Sequence, residues 1–105
     1  MALGMLTAAG LCAPAAAQDG GAQPVVVSIE GSAFVPEKIK IRAGTEVVWK
    51  NRDAAPHTVS ADDGSFDSGS MDQGAEYRRK FTTPGTVSYS CGMHAWMAGK
   101  VEITE

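Results

Sequence analysis

A chain of 105 residues, 44% hydrophobic and 20% charged, is long enough for one domain and one core. Its formal net charge of −3 comes without a basic stripe, which excludes a nucleic-acid binder working through phosphate neutralisation. A mildly acidic surface leaves partners free to be something other than polyanions.

Residues 1–17 carry no charged side chain and are mostly Ala, Leu and Met. Ala15-Ala16-Ala17 before Gln18 fits the small-residue pattern of signal-peptidase cleavage. The segment is therefore expected to be a cleaved signal peptide and the mature protein periplasmic, although no Lys or Arg precedes the apolar run. Pro14 and the weakly apolar alanines shorten that run below the ~20 residues a membrane span needs. Cleavage leaves 88 residues and removes Cys12, so no Cys12–Cys91 disulfide is expected. Cys91 becomes a lone thiol, which in an oxidising compartment needs something to hold it.

Residues 18–24 form a flexible lead. Val25-Val26-Val27-Ser28-Ile29 is a strand by its β-branched content, broken at Gly31-Ser32. Phe34-Val35-Pro36 is expected to be a short link that tucks Phe34 inward. Lys38-Ile39-Lys40-Ile41-Arg42 alternates, with two isoleucines on one face and three cations on the other. Ala43-Gly44-Thr45 is a turn and Glu46 to Asn51 the next strand. Asp53 to Pro56 is a loop that delivers His57, and Thr58-Val59-Ser60 is extended. Ala61 to Gly74, rich in Asp, Gly and Ser, is a surface loop with Phe66 and Met71 as apolar anchors. Tyr77 to Phe81 is a strand with Arg79 on its apolar face, which requires either an edge position with the head in water or a bulged register. Thr83-Pro84-Gly85 is a turn, and Thr86 to Ser90 and Lys100 to Thr104 alternate as strands. About seven short strands without a helix predict an all-β fold, a small antiparallel Greek-key sandwich or barrel over residues 25–105.

Between the last two strands lies Cys91-Gly92-Met93-His94-Ala95-Trp96-Met97, a Cys-x2-His-x2-Met loop. It brings a thiolate, an imidazole and a thioether into one turn. His57 is the other of the chain's two histidines. Together Cys91, His94, Met97 and His57 make the His2Cys set with an axial thioether that suits an electron-transfer copper site. Zinc fits less well because structural zinc sites do not use thioethers. A Cys91–His94 nucleophile pair lacks a third orienting group and leaves Met97 without a role, so no enzyme is expected.

The stretch Val48 to His57, the Cys91-x2-His94-x2-Met97 loop and the earlier Phe34-x-Pro36-x-x-Ile39-x-Ile41-x-Ala43-Gly44-Thr45 pattern resemble the cupredoxins, most of all the amicyanin type. The resemblance implies one type 1 blue-copper ion held by His57, Cys91, His94 and Met97. It implies that Asn51 ties the two ligand-bearing loops together near the thiolate, and that His94 passes the electron at the surface. Met93, Ala95 and Trp96 would form the apolar rim for transient, small redox contacts. The implied role is a periplasmic, monomeric single-electron shuttle. Its partner classes would be a periplasmic dehydrogenase and a c-type cytochrome. A copper carrier or storage protein using the same ligands is the alternative.

Overall fold

The computed structural model describes residues 23–105. The expected signal peptide over 1–17 and residues 18–22 of the lead lie outside the described residues, as does the side chain of Ala95. The strands are β1 (Val25–Glu30), β2 (Ala33–Val35), β3 (Lys38–Arg42), β4 (Thr45–Asn51), β5 (Ser60–Ala61), β6 (Glu76–Phe81), β7 (Gly85–Cys91) and β8 (His94–Thr104). They form two four-stranded sheets, ordered β2-β1-β4-β6 and β3-β8-β7-β5. Among the described residues no helix is long and apolar enough to cross a membrane.

Three features differ from the expectation. The count is eight strands because Ala33-Phe34-Val35 pairs with β1 instead of serving as a link. The Gly31-Ser32 turn, with φ of 59° and 56°, has the double positive φ that closes a two-residue hairpin; three residues are too few to show a period of two. The sandwich is also not purely antiparallel: β1 runs parallel to β4 and β3 parallel to β8. After β2 the chain crosses to the other sheet as β3 and returns as β4, so β4 re-enters alongside β1 in the same direction. Finally, β8 begins at His94, so only Gly92 and Met93 separate it from β7. The inward position at Gly99 carries no side chain, which hides the alternation in the sequence.

The two inner faces enclose one apolar core centred on Trp49, which is fully buried. Its ring lies 5.3–6.2 Å from those of Tyr89, Tyr77, Phe66 and Phe81, distances at which aromatic pairs contribute beyond area burial. Phe34 is buried as expected and meets Tyr89 edge-on at 4.8 Å. Phe66 and Met71 anchor the 61–74 loop from inside. The Arg79 question resolves to the edge: β6 is an edge strand in unbroken register with β4. The Arg79 guanidinium lies 4.9 Å from the Phe66 centroid, a cation–π contact that lets the half-buried side chain cover the core.

Candidate metal centre

β4 ends in a buried amide that shapes the turn behind it. The Asn51 side chain donates to the carbonyls of Ala55 (3.0 Å) and Met71 (2.8 Å), and its Oδ1 accepts from the Asp53 amide at 2.9 Å. The turn thereby closes on the 61–74 loop and delivers His57, whose backbone exchanges two hydrogen bonds with Met71. His57 is wholly buried. Its Nε2 lies 2.9 Å from Asp53 Oδ2. An ionised carboxylate only accepts, so Nε2 carries the proton and Nδ1 keeps its lone pair.

Asp53 itself is held from the other side by the β1–β2 turn. The amides of Gly31 and Ser32 donate to its two oxygens at 2.8 and 2.9 Å. The Ser32 amide holds the Asp53 carboxyl below the usual carboxylate range; partial burial opposes this, and Gly31 and His57 reinforce it.

The other donors come from the β7–β8 hairpin. Cys91 and His94 are cross-strand partners, with a register irregularity between Ser90 and Cys91. This bends the end of the hairpin toward His57. Cys91 Sγ is 3.8 Å from His57 Nδ1 and 3.7 Å from His94 Nδ1. The three donor atoms all lie within 4.8 Å of one another. Burial pushes the Cys91 thiol up, but the Thr58 amide, the His94 and His57 rings and the Met93 amide outweigh it and draw it down to about 6. At neutral pH the sulfur is therefore a thiolate, the form that binds metal.

The donor set fits copper. With the bond lengths that zinc, an ion of similar size, makes to a thiolate and an imidazole, about 2.3 and 2.0 Å, a trigonal plane separates sulfur and nitrogen by about 3.7 Å. The two observed separations match that figure. One thiolate and two imidazoles in a trigonal arrangement is the donor chemistry of electron-transfer copper.

The remaining expected residues fall as follows. Met97 is buried within the core cluster. Trp96 is 71% exposed and Met93 50% exposed, so both lie at the surface. The Trp96 ring stacks edge-on against His94 at 4.9 Å, and His94 is half-buried where His57 is fully enclosed. Asn51 does not tie the two ligand loops together. Its three side-chain bonds reach Ala55, Met71 and Asp53, because the end of β4 faces the 52–56 turn. The tie to the Cys91 hairpin is Thr58: its amide donates to Cys91 Sγ at 3.3 Å and its Oγ1 accepts from the Gly92 amide at 2.7 Å.

Thr58 and Asp53 were missed by sequence reasoning. A hydroxyl next to a ligand, and a carboxylate four residues before a buried histidine, were the available signals. Partners that orient a metal-bound imidazole are worth about 10–100-fold in metal affinity. Asp53→Asn is accordingly expected to weaken copper binding by roughly that factor in a chelator-competition titration. An unchanged affinity would mean that packing alone orients the His57 ring.

A cupredoxin-like domain model matches residues 2–103. Amicyanin-alpha of Methylorubrum extorquens is 33% identical over 93 residues, spanning 84% of this chain and 78% of that protein. The Cu(I) form of a methionine-to-alanine mutant of amicyanin superposes with a TM-score of 0.71 at 32% identity, covering 81% of this chain and 83% of that one. The copper-containing nitrite reductase of Thermus scotoductus gives 0.74 at 29% identity, covering 79% of this chain but 23% of the reductase. With nearly its whole length matched and a His-Cys-His cluster at its heart, the chain belongs to the cupredoxin-like family.

Proposed function

We propose that the protein is a periplasmic type 1 blue-copper electron shuttle that exchanges single electrons with transient protein partners and transforms no substrate. The observation that carries this is the convergence of His57, Cys91 and His94 at trigonal spacing. Copper, when bound, supplies a one-electron Cu(II)/Cu(I) couple.

The chain supplies fixed donors. His57 is locked in orientation by Asp53, Cys91 is kept a thiolate by Thr58 and the two rings, and the hairpin holds Cys91 and His94 opposite each other. Donors that cannot shift make the change of oxidation state nearly movement-free. Met97, buried three residues past His94, would supply a fourth, thioether donor. Asn51 acts outside the ligand shell, stiffening the His57 turn. The half-buried His94 is the donor nearest solvent, and Met93 and Trp96, with Ala95 between them in the sequence, would form the contact rim. A periplasmic dehydrogenase and a c-type cytochrome are the partner classes this role would use.

Addition of Cu(II) should produce an intense blue thiolate-to-copper band and a reversible one-electron couple with fast self-exchange. A colourless, non-redox adduct would contradict the proposal. Slow self-exchange with ready loss of Cu(I) to a chelator would instead identify a copper carrier.

A further inference from the structure

Lys38 and Lys40 of β3 and Lys100 of β8 take no part in the metal centre, and their setting differs from that of most cations on the opposite sheet. On the outer face of the β2-β1-β4-β6 sheet most charges are matched, Lys80 being the outward cation that makes no ion pair among the described residues. Arg78 pairs with Glu46 and Glu76, Lys50 with Glu76, and Arg52 with Glu30. On the outer face of the β3-β8-β7-β5 sheet, Lys38, Lys40 and Lys100 make no ion pair among the described residues.

Lys38 and Lys100 are direct register partners, a like-charge neighbour arrangement that costs stability. Edge protection accounts for lysines on β3, the outermost strand. It does not account for Lys100 on the interior strand β8. Glu102, beside Lys40 in the register, is the one acid among the outward side chains of these four strands.

The rest of the face is flat. Thr86, Ser88 and Ser90 of β7, Ser60 of β5 and Ala98 of β8 bring small side chains to it. Trp96, Ala98 and Lys100 alternate outward along β8, while Met97, Gly99 and Val101 point inward. The strand carries an exposed indole stacked on His94 at one end and Lys100 four residues on, about 13 Å away at the usual rise per residue, with the register irregularity of the β7–β8 pair lying between His94 and Ala98. Charge complementarity names the occupant, because unpaired cations on an otherwise acidic chain attract carboxylates locally.

We propose that this sheet face is a docking surface for an acidic protein, with Lys38, Lys40 and Lys100 receiving its carboxylates and Trp96 making the apolar contact beside His94. That the partner is a redox protein rests on the electron-carrier reading; the docking surface itself does not.

The test is amide-shift mapping of the full chain, metal-free and copper-loaded, titrated with a hexaglutamate peptide at 10 mM salt. Shifts should cluster at residues 38–42 and 98–102 and disappear at 200 mM salt, where charges are screened beyond about 7 Å. Lys38→Glu with Lys100→Glu should weaken binding by ~10-fold or more, and Lys40→Glu alone by less. The proposal falls if the shifts gather around Lys50, Arg52 and Arg78, if they scatter, if none occurs, or if the variants bind as tightly as the parent. Mapping to this face in a protein that gives no blue copper band would leave the docking surface standing and remove the electron-carrier reading. A blue protein that fails to map would do the reverse.

Discussion

Cys91→Ser should abolish the blue band and the reversible couple of the copper-loaded protein while leaving the fold intact. The thiolate is the source of the charge-transfer colour and the one soft donor in the cluster of His57, Cys91 and His94. Serine has nearly the same volume, and its oxygen can still accept from the Thr58 amide that now meets the sulfur at 3.3 Å. What disappears is the soft anionic ligand. A hydroxyl does not ionise near neutral pH as this thiol does, with its pKa drawn down to about 6. Copper affinity should fall by more than the ~10–100-fold that loss of an outer partner costs. An absorption spectrum and a chelator competition read both quantities, and an unchanged urea midpoint for the metal-free chain shows that the scaffold survives. A serine variant that stays blue would place the thiolate ligand elsewhere.

Gly99→Ala should be the most damaging single methyl addition in the scaffold. Gly99 and Tyr89 are cross-strand partners in the β7–β8 pair, and a Cβ built on Gly99 runs into the Tyr89 ring. That ring is fully buried and wedged between Phe34 and Trp49, with centroids at 4.8 and 5.3 Å, so it has nowhere to go. Overpacking of a closed core costs about 3 kcal/mol, which in a domain of this size lowers the melting temperature by roughly 10–20 °C. The strain also spreads toward Cys91, because β7 carries both Tyr89 and the thiol. Thermal unfolding of the metal-free chain measures the loss. Combining the change with Tyr89→Leu should recover part of it, since contacting residues couple. Equal and additive losses would show that the clash relaxes elsewhere.

The metal centre was more legible than the frame around it. Cys91 and His94 are close in the chain, and a histidine count of two left His57 as the only other imidazole, so composition and spacing pointed to the three residues that the structure brings together. Strand alternation also placed Ile39 and Ile41 inside and the β3 cations outside. The parallel pairings were not legible, because a strand's own pattern says nothing about which distant strand lies beside it. The extension of β8 back to His94 was hidden by a glycine in an inward position. The role of Thr58 depends on contacts made across 33–34 residues of chain, and Asp53 is held in place for His57 by amides 21–22 residues away. Asn51 shows the converse: its importance was visible, but its partners lie in the 52–56 turn and at Met71, not in the hairpin.

The most direct test of the central claim is copper-edge X-ray absorption on the copper-loaded protein. One sulfur and two imidazole nitrogens are expected in the first shell, with one nitrogen lost in His57→Ala and the sulfur lost in Cys91→Ser. A first shell of nitrogen and oxygen alone, unchanged by either substitution, would contradict it.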